Sequence, residues 1–146
     1  MKTSAVTVED LRRSVLAVPP LARRVISGIG ERPAITHWTR FGLRAFTSGA
    51  VCIAPALSTA ILRALQAGDI ATAGTIRSQF LPFEDLRDAH SPLRVLHEGV
   101  RLAGIAETGP MQPLLSNIDD ESLLGEIGRA AVALLAANGT GTAKAA

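Results

Sequence analysis

The chain has 146 residues, of which 47% are apolar and 3% aromatic, and its formal net charge is +2. This length and apolar content favour one folded domain with a sizeable core and exclude a disordered chain. Basic residues are spread among the acids without forming a run, so the charge predicts no binding to nucleic acid.

Three short apolar runs in the first part of the chain predict strands. They are SVLAV at 14–18, RVISG at 24–28 and RAFTS at 44–48. Each ends at or just before a proline or glycine, residues that commonly end a strand. The strands are expected to be parallel, with 44–48 in the middle.

Helices are predicted between and after these runs. Pro33 suits the first turn of a helix that ends at Phe41, ahead of Gly42, and Pro55 opens a helix that ends ahead of Gly68. Alternating strands and helices with short loops are typical of parallel α/β units.

From Asp69 onward the pattern predicts helices alone. Asp69 is expected to cap a helix that Pro82 kinks or splits, and Pro92 to begin another helix that ends ahead of Gly104. A last amphipathic helix is predicted at about 120–137.

The chain is therefore expected to divide into three parts. Residues 1–68 form the predicted α/β part, 69–138 the helical part, and 139–146 a small, polar tail that should fray. No internal repeat accompanies this division.

The features that indicate a cellular compartment favour the cytoplasm. Cys52 is the single cysteine, so no intrachain disulfide can form, and it is expected to be a small buried residue. Glu9 and Asp10 precede any apolar run, so no signal peptide is predicted. No apolar run approaches the roughly 18 residues that a membrane span needs, so no membrane partner is expected.

The stretch RVISGIGERPA, residues 24–34, raises the possibility of a phosphate site. A dinucleotide-binding fingerprint would need a third glycine where Pro33 stands, and no lysine is near enough for a P-loop. A tight strand-to-helix turn is the favoured interpretation, and a phosphate or nucleotide site is the alternative. The three histidines have no partners at metal-ligand spacing, so no metal site is predicted.

Several segments in order resemble parts of one enzyme family. They are VISG at 25–28, GLRAFTSGAVCIAPAL at 42–57, and then ALQAGDIATA, SPLRVLHEGVRLAGI and GPMQPLL. Over roughly residues 24–137 the chain resembles the C-terminal part of the dihydrodipicolinate synthase and N-acetylneuraminate lyase family. SVLAVPPLAR at 14–23 resembles that family's first strand.

This resemblance implies an α/β fold derived from a (β/α)8 TIM barrel. The barrel needs about 250 residues, and its active site lies at the C-terminal ends of its strands. Barrel strands one, seven and eight would be retained, followed by a C-terminal helical part, while strands two to six have no counterpart.

The family's activity requires residues that this chain lacks. Its members act as lyases or aldolases on pyruvate-type keto acids through a Schiff base on a buried lysine, with a tyrosine relaying protons. The lysines here are Lys2 and Lys144, near the two ends, and there is no tyrosine. No catalytic residue is therefore assigned, no cofactor is expected, and whether the chain is an enzyme is left open.

The resemblance carries over only the rim of the pocket. Ser27 and Gly28 would lie at the end of strand seven, and Thr47 and Ser48 at the end of strand eight. These four residues are the candidate site.

The favoured hypothesis is thus a shortened member of this family that lacks catalysis by itself. One alternative is a helical module for protein–protein interaction or oligomerisation, and another is a small phosphate or nucleotide binder. Open strand edges in a partial barrel predict self-association or association with a full-length relative.

Overall fold

The computed structural model of the chain describes residues 10, 14, 17, 25–113 and 115–142. Between 25 and 142 the described chain is predominantly helical. Its elements are α1 (Ala34–Phe41), a 3-10 turn (Ala50–Cys52), α2 (Pro55–Gln66), α3 (Ile70–Ser78), α4 (Leu81–Ala89), α5 (Pro92–Leu102) and α6 (Glu121–Thr142).

The described residues form no sheet, so the prediction of an α/β partial TIM barrel is wrong. The segments 24–28 and 44–48 meet only at one isolated parallel bridge, between Ser27 and Phe46. Of the run 14–18 only positions 14 and 17 are described, the first helical and the second in a turn; the rest lies outside the described residues.

The physical reason is that two short extended segments cannot form a stable sheet by themselves. A parallel pair needs further neighbouring strands and helical cover to bury both of its faces. Ile26, in the middle of the predicted strand 24–28, is 53% exposed. The apolar residues that hold this fold together lie mainly on helices instead.

The hydrophobic core begins at the 3-10 turn and is shared by the later helices. Helix α2 packs against α3 and α6, α5 packs against α6, and α4 contacts both α5 and α6. Burying each large apolar side chain contributes about 1.5–3 kcal/mol. The largest buried apolar side chains of this core are Ile53, Ile61, Leu65, Phe80, Phe83, Val95, Ile127 and Leu134.

Several helix boundaries agree with the sequence-based predictions. Helix α1 ends at Phe41, and Gly42 adopts a left-handed conformation with φ 69°. The Asp69 carboxylate accepts a hydrogen bond from the Thr72 amide at 2.9 Å, as an N-cap does. The break between α3 and α4 falls just ahead of Pro82, the residue predicted to split the helix.

Helix α6 is longer than predicted. It continues to Thr142, so that residues 139–142, expected in a frayed tail, are helical. Residues 143–146 lie outside the described part of the chain. Neither α6 nor any other described helix has the length and apolarity needed to cross a bilayer.

Candidate binding site

Two loop segments come together ahead of α1 and the 3-10 turn. The Ser27 amide donates to the Ala45 carbonyl at 3.1 Å, and the Thr47 amide donates to the Ser27 carbonyl at 2.7 Å. The Gly30 amide then donates to the Thr47 carbonyl at 3.1 Å. These bonds hold 27–30 beside 45–47.

The four candidate residues named from the sequence therefore lie close together. Gly28, Thr47 and Ser48 line one cavity of about 380 Å³. The Ser27 side chain is buried instead, and its hydroxyl lies 2.7 Å from Nδ1 of His37. Burial also lowers the pKa of His37. The contact between Ser27 and His37 thus ties the first loop segment to α1, while Gly28, Thr47 and Ser48 line the cavity.

Apolar and charged side chains complete the cavity. Ile29 comes from the first loop, while Pro92 and Leu96 come from α5. Arg87 and Asp88, near the end of α4, supply the charged part of the wall. The full lining is Gly28, Ile29, Gly30, Thr47, Ser48, Gly49, Arg87, Asp88, Pro92 and Leu96.

Behind this wall, Glu31 is a fully buried carboxylate with hydroxyl partners. Its Oε2 accepts a hydrogen bond from Ser48 Oγ at 2.5 Å, and its Oε1 accepts one from Ser58 Oγ at 2.8 Å. Hydrogen bonding of this kind compensates part of the cost of burying a charge. Glu31 therefore ties the cavity residue Ser48 to helix α2.

A second buried carboxyl, Glu84 of α4, lies on the other side of the same loop. Its Oε1 accepts from the Glu31 amide at 3.0 Å and from Arg87 at 3.0 Å. Burial raises the pKa of Glu84 above its ordinary value of 4.5; the Arg87 guanidinium opposes this rise, and the Glu31 carboxylate adds to it. Its Oε2 is buried without a hydrogen-bond partner among the described residues.

Gly30 allows the loop to approach this pair. Its φ is +90°, a conformation that side-chain-bearing residues rarely adopt, and a Cβ there would stand 2.2 Å from Glu84 Oε1. The same Cβ would stand 2.6 Å from an Arg87 nitrogen. Only glycine fits between the cavity and the Glu84–Arg87 pair.

Each nitrogen of the Arg87 guanidinium donates to a neighbouring oxygen. Besides Glu84, it donates to Asp88 Oδ1 at 2.9 and 3.0 Å and to the Ile29 carbonyl at 3.1 Å. Asp88 Oδ2 also lies 3.2 Å from Arg32 Nε. The charged groups at this end of the cavity thus neutralise one another.

Sequence reasoning missed Glu84, Arg87 and Asp88. Their only local signal is the three-residue spacing of Glu84 and Arg87, which places the two charges on one helix face. Cys52, predicted to be buried, is exposed. No group of three or more potential metal ligands occurs in the part of the chain that the structure describes.

Comparisons with known proteins do not support the expected family. No family model matches the chain, and neither a curated protein nor a solved structure matches it. With no sheet in the described chain, the identification as a shortened dihydrodipicolinate synthase-like TIM barrel is wrong, and the lyase and aldolase descriptions that came with it are withdrawn.

Proposed function

We propose that the chain binds a small, uncharged organic molecule in the cavity between the two loop segments and α4–α5. The observation that carries this proposal is the cavity itself. Its volume of about 380 Å³ lies within the roughly 300–1,000 Å³ that is usual for small-molecule sites. Its wall combines apolar surface from Ile29, Pro92 and Leu96 with polar groups at one end.

The balance of charge in the wall argues for an uncharged ligand. Arg87 and Asp88 are the charged lining residues, and they bond directly to each other. Because every nitrogen of the Arg87 guanidinium already donates to a protein oxygen, it has little capacity left for a phosphate. The phosphate version of the small-ligand hypothesis is therefore not favoured.

The polar lining suits a ligand that carries a hydroxyl or an amide. Thr47 Oγ1 is 3.5 Å from the Ser27 carbonyl, at the limit of a hydrogen bond, so this hydroxyl can turn to a ligand at little cost. The Asp88 carboxylate is 46% exposed and retains capacity to accept another donor. A ligand donor at Asp88 and an acceptor at Thr47 would satisfy both groups.

A variant that fills the cavity provides the test. Gly28 lines the cavity, and a Cβ there meets no atom within 4 Å, so Gly28→Leu should occupy the space without disturbing the fold. Gly74→Leu in α3 is the matched control, because its Cβ also meets nothing within 4 Å and it lies outside the cavity.

Binding can be followed with probes of one chain length and different charge. Amide chemical shifts are recorded while pentanol, pentanamide, pentanoate or pentylammonium is added to the wild type and to both variants. We expect pentanol or pentanamide to shift Gly28 and Thr47, and Gly28→Leu alone to abolish the effect. If none of the probes binds at Gly28 and Thr47, or if Gly28→Leu binds unchanged, the proposal is wrong.

A cytoplasmic location, with no nucleic-acid partner, is proposed as well. It is supported by the single cysteine, which forms no intrachain disulfide, and by the small, dispersed charge of +2. Fluorescence of a fusion protein in the source cells would test the location, since an exported chain would leave the cytoplasm without signal.

A further inference from the structure

A second concave surface lies between α4 and α6. It is a groove of about 550 Å³, and none of its lining residues lines the binding cavity. Its floor is mostly apolar. The lining residues are Pro82, Asp85, Leu86 and Ala89 from α4, and Glu126, Arg129 and Ala130 from α6. We call this surface the α4–α6 groove.

Two of the groove's charged residues, Glu126 and Arg129 of α6, carry opposite charges. Glu126 and Arg129 are both exposed, and neither forms an ion pair with any residue in the described ranges. They are three positions apart in the sequence, so they lie on the same face of α6. One helix face thus presents a carboxylate and a guanidinium about one turn apart.

The Glu126 and Arg129 charges of one copy can pair with the same two residues of a second copy. When two identical helices pack antiparallel about a two-fold axis, residues equally far from the axis on either side face each other. An axis midway between positions 126 and 129 puts Glu126 of one copy opposite Arg129 of the second copy, and the reverse contact follows by symmetry. Two ion pairs then form from one surface.

We propose that the α4–α6 groove is a homodimer interface in which the α6 helices of two copies pack antiparallel about this axis. The apolar part of the surface supplies the area to be buried, with Pro82 and Leu86 from α4 and Ala130 from α6 lining the groove. Gly125 and Ala130 are small enough to allow the helices a close approach of about 8–10 Å between axes. The charges fix the direction and register of the pair.

Charge reversal tests the register directly. Glu126→Arg places two guanidinium groups opposite each other at both contacts, and Arg129→Glu does the same with carboxylates. We expect either single variant to weaken dimerisation at least about tenfold, since like charges face each other across the interface. The double variant Glu126→Arg/Arg129→Glu restores opposite charges and should dimerise like the wild type.

Mixing the two single variants provides an independent test of the proposed contact. Each has one sign of charge at both positions, so they should form a heterodimer with each other while each alone is mainly monomeric. Arg63→Glu on α2 is the control, because it makes the same change of charge at an exposed position outside the groove. Circular dichroism of each variant verifies that it is folded.

Sedimentation velocity over a hundredfold concentration range provides the measurement. The proposal is overturned if the wild type stays monomeric throughout, or if it dimerises and the single reversals have no effect. It is also overturned if folded single variants weaken the dimer but neither the double variant nor the mixture restores it, because the contact between 126 and 129 would then be absent.

Discussion

The Asn138 side chain, near the end of α6, caps the first turn of α2 through the Ala56 amide. Its Oδ1 accepts a hydrogen bond from Ala56 at 2.8 Å and another from Leu57 at 3.2 Å. The N-cap residue of α2 itself is Ala54, whose side chain has no hydrogen-bonding group. A residue 82 positions further along the chain therefore satisfies amides that the local sequence leaves open.

This contact predicts opposite outcomes for two substitutions of one residue. Asn138→Ala removes the acceptor and should lower the free energy of unfolding by about 1 kcal/mol, as loss of an N-cap usually does. Asn138→Asp keeps an acceptor and adds negative charge at the positive end of the α2 dipole, so it should be at least as stable as the wild type. Urea unfolding measures both, and equal losses in the two variants would contradict the capping role.

The contrast with Asp69 explains which helix boundaries the sequence predicts. Asp69 caps α3 through Thr72, a partner three residues away, and Gly42 ends α1 by its own backbone conformation. Both signals are local and can be read from a few adjacent residues. The cap from Asn138 depends on how α6 packs against α2, which no local pattern contains.

The predicted strands failed for a related reason. RVISG and RAFTS are short apolar runs, and periodicity alone cannot distinguish a strand in such a run from a loop that packs one side chain. In the fold, Ser27 and Phe46 form one bridge, and Ile26 is left exposed. A short parallel pair needs further strands or helical cover to be stable, and the neighbouring sequence gives no information about whether they exist.

The candidate site was predicted only in part because its charged half comes from elsewhere in the chain. Gly28, Thr47 and Ser48 were named only through the family resemblance, which placed them at strand ends, and they stand in loops instead. Glu31 was not among the candidate residues, because its hydroxyl partner Ser58 is 27 positions away and the Glu84 carboxyl that accepts from its amide is 53 positions away. Such contacts follow from tertiary packing alone.

Because the Gly30 backbone lies close to the Glu84 carboxyl, even an alanine side chain at position 30 should lower the unfolding free energy strongly. Gly30→Ala must adopt φ +90° and place its Cβ 2.2 Å from Glu84 Oε1. The left-handed backbone alone costs about 1–2 kcal/mol, so a total loss above about 2 kcal/mol is expected. Gly28→Ala is the control, since its Cβ meets nothing within 4 Å. Thermal unfolding that shifts equally in both variants would show that the Glu84 contact is unimportant.

The buried Glu84 carboxyl predicts a dependence of stability on pH. Its pKa is higher in the folded chain than the ordinary 4.5, so the folded state binds its proton more tightly than the unfolded state does. The resulting stabilisation is complete below pH 4.5 and is lost as the pH rises through the folded pKa. Glu84→Gln has the same shape and does not titrate.

The difference between the wild type and Glu84→Gln isolates this contribution. Groups that do not interact with Glu84, such as His37, titrate in both proteins and cancel in the comparison. We expect the unfolding free energy of the wild type to fall relative to that of Glu84→Gln as the pH rises from 4.5 through the folded pKa of Glu84. A constant difference across this range would mean that Glu84 keeps its ordinary pKa despite its burial.

The contact between Gly99 of α5 and Phe83 of α4 predicts a substitution whose effect changes sign with its background. A Cβ on Gly99 would stand 2.5 Å from the Phe83 ring, which is fully buried. Overpacking of this kind costs about 1–3 kcal/mol, whereas replacing a helical glycine by alanine gains up to about 1 kcal/mol. Gly99→Ala should therefore destabilise the wild type.

In a Phe83→Leu background the aromatic ring is gone and the helix preference of alanine remains, so Gly99→Ala should stabilise the protein. Urea unfolding of the four proteins in this cycle gives the coupling energy directly, and a Gly99→Ala effect that is equal in both backgrounds would show that the helices do not meet at this point.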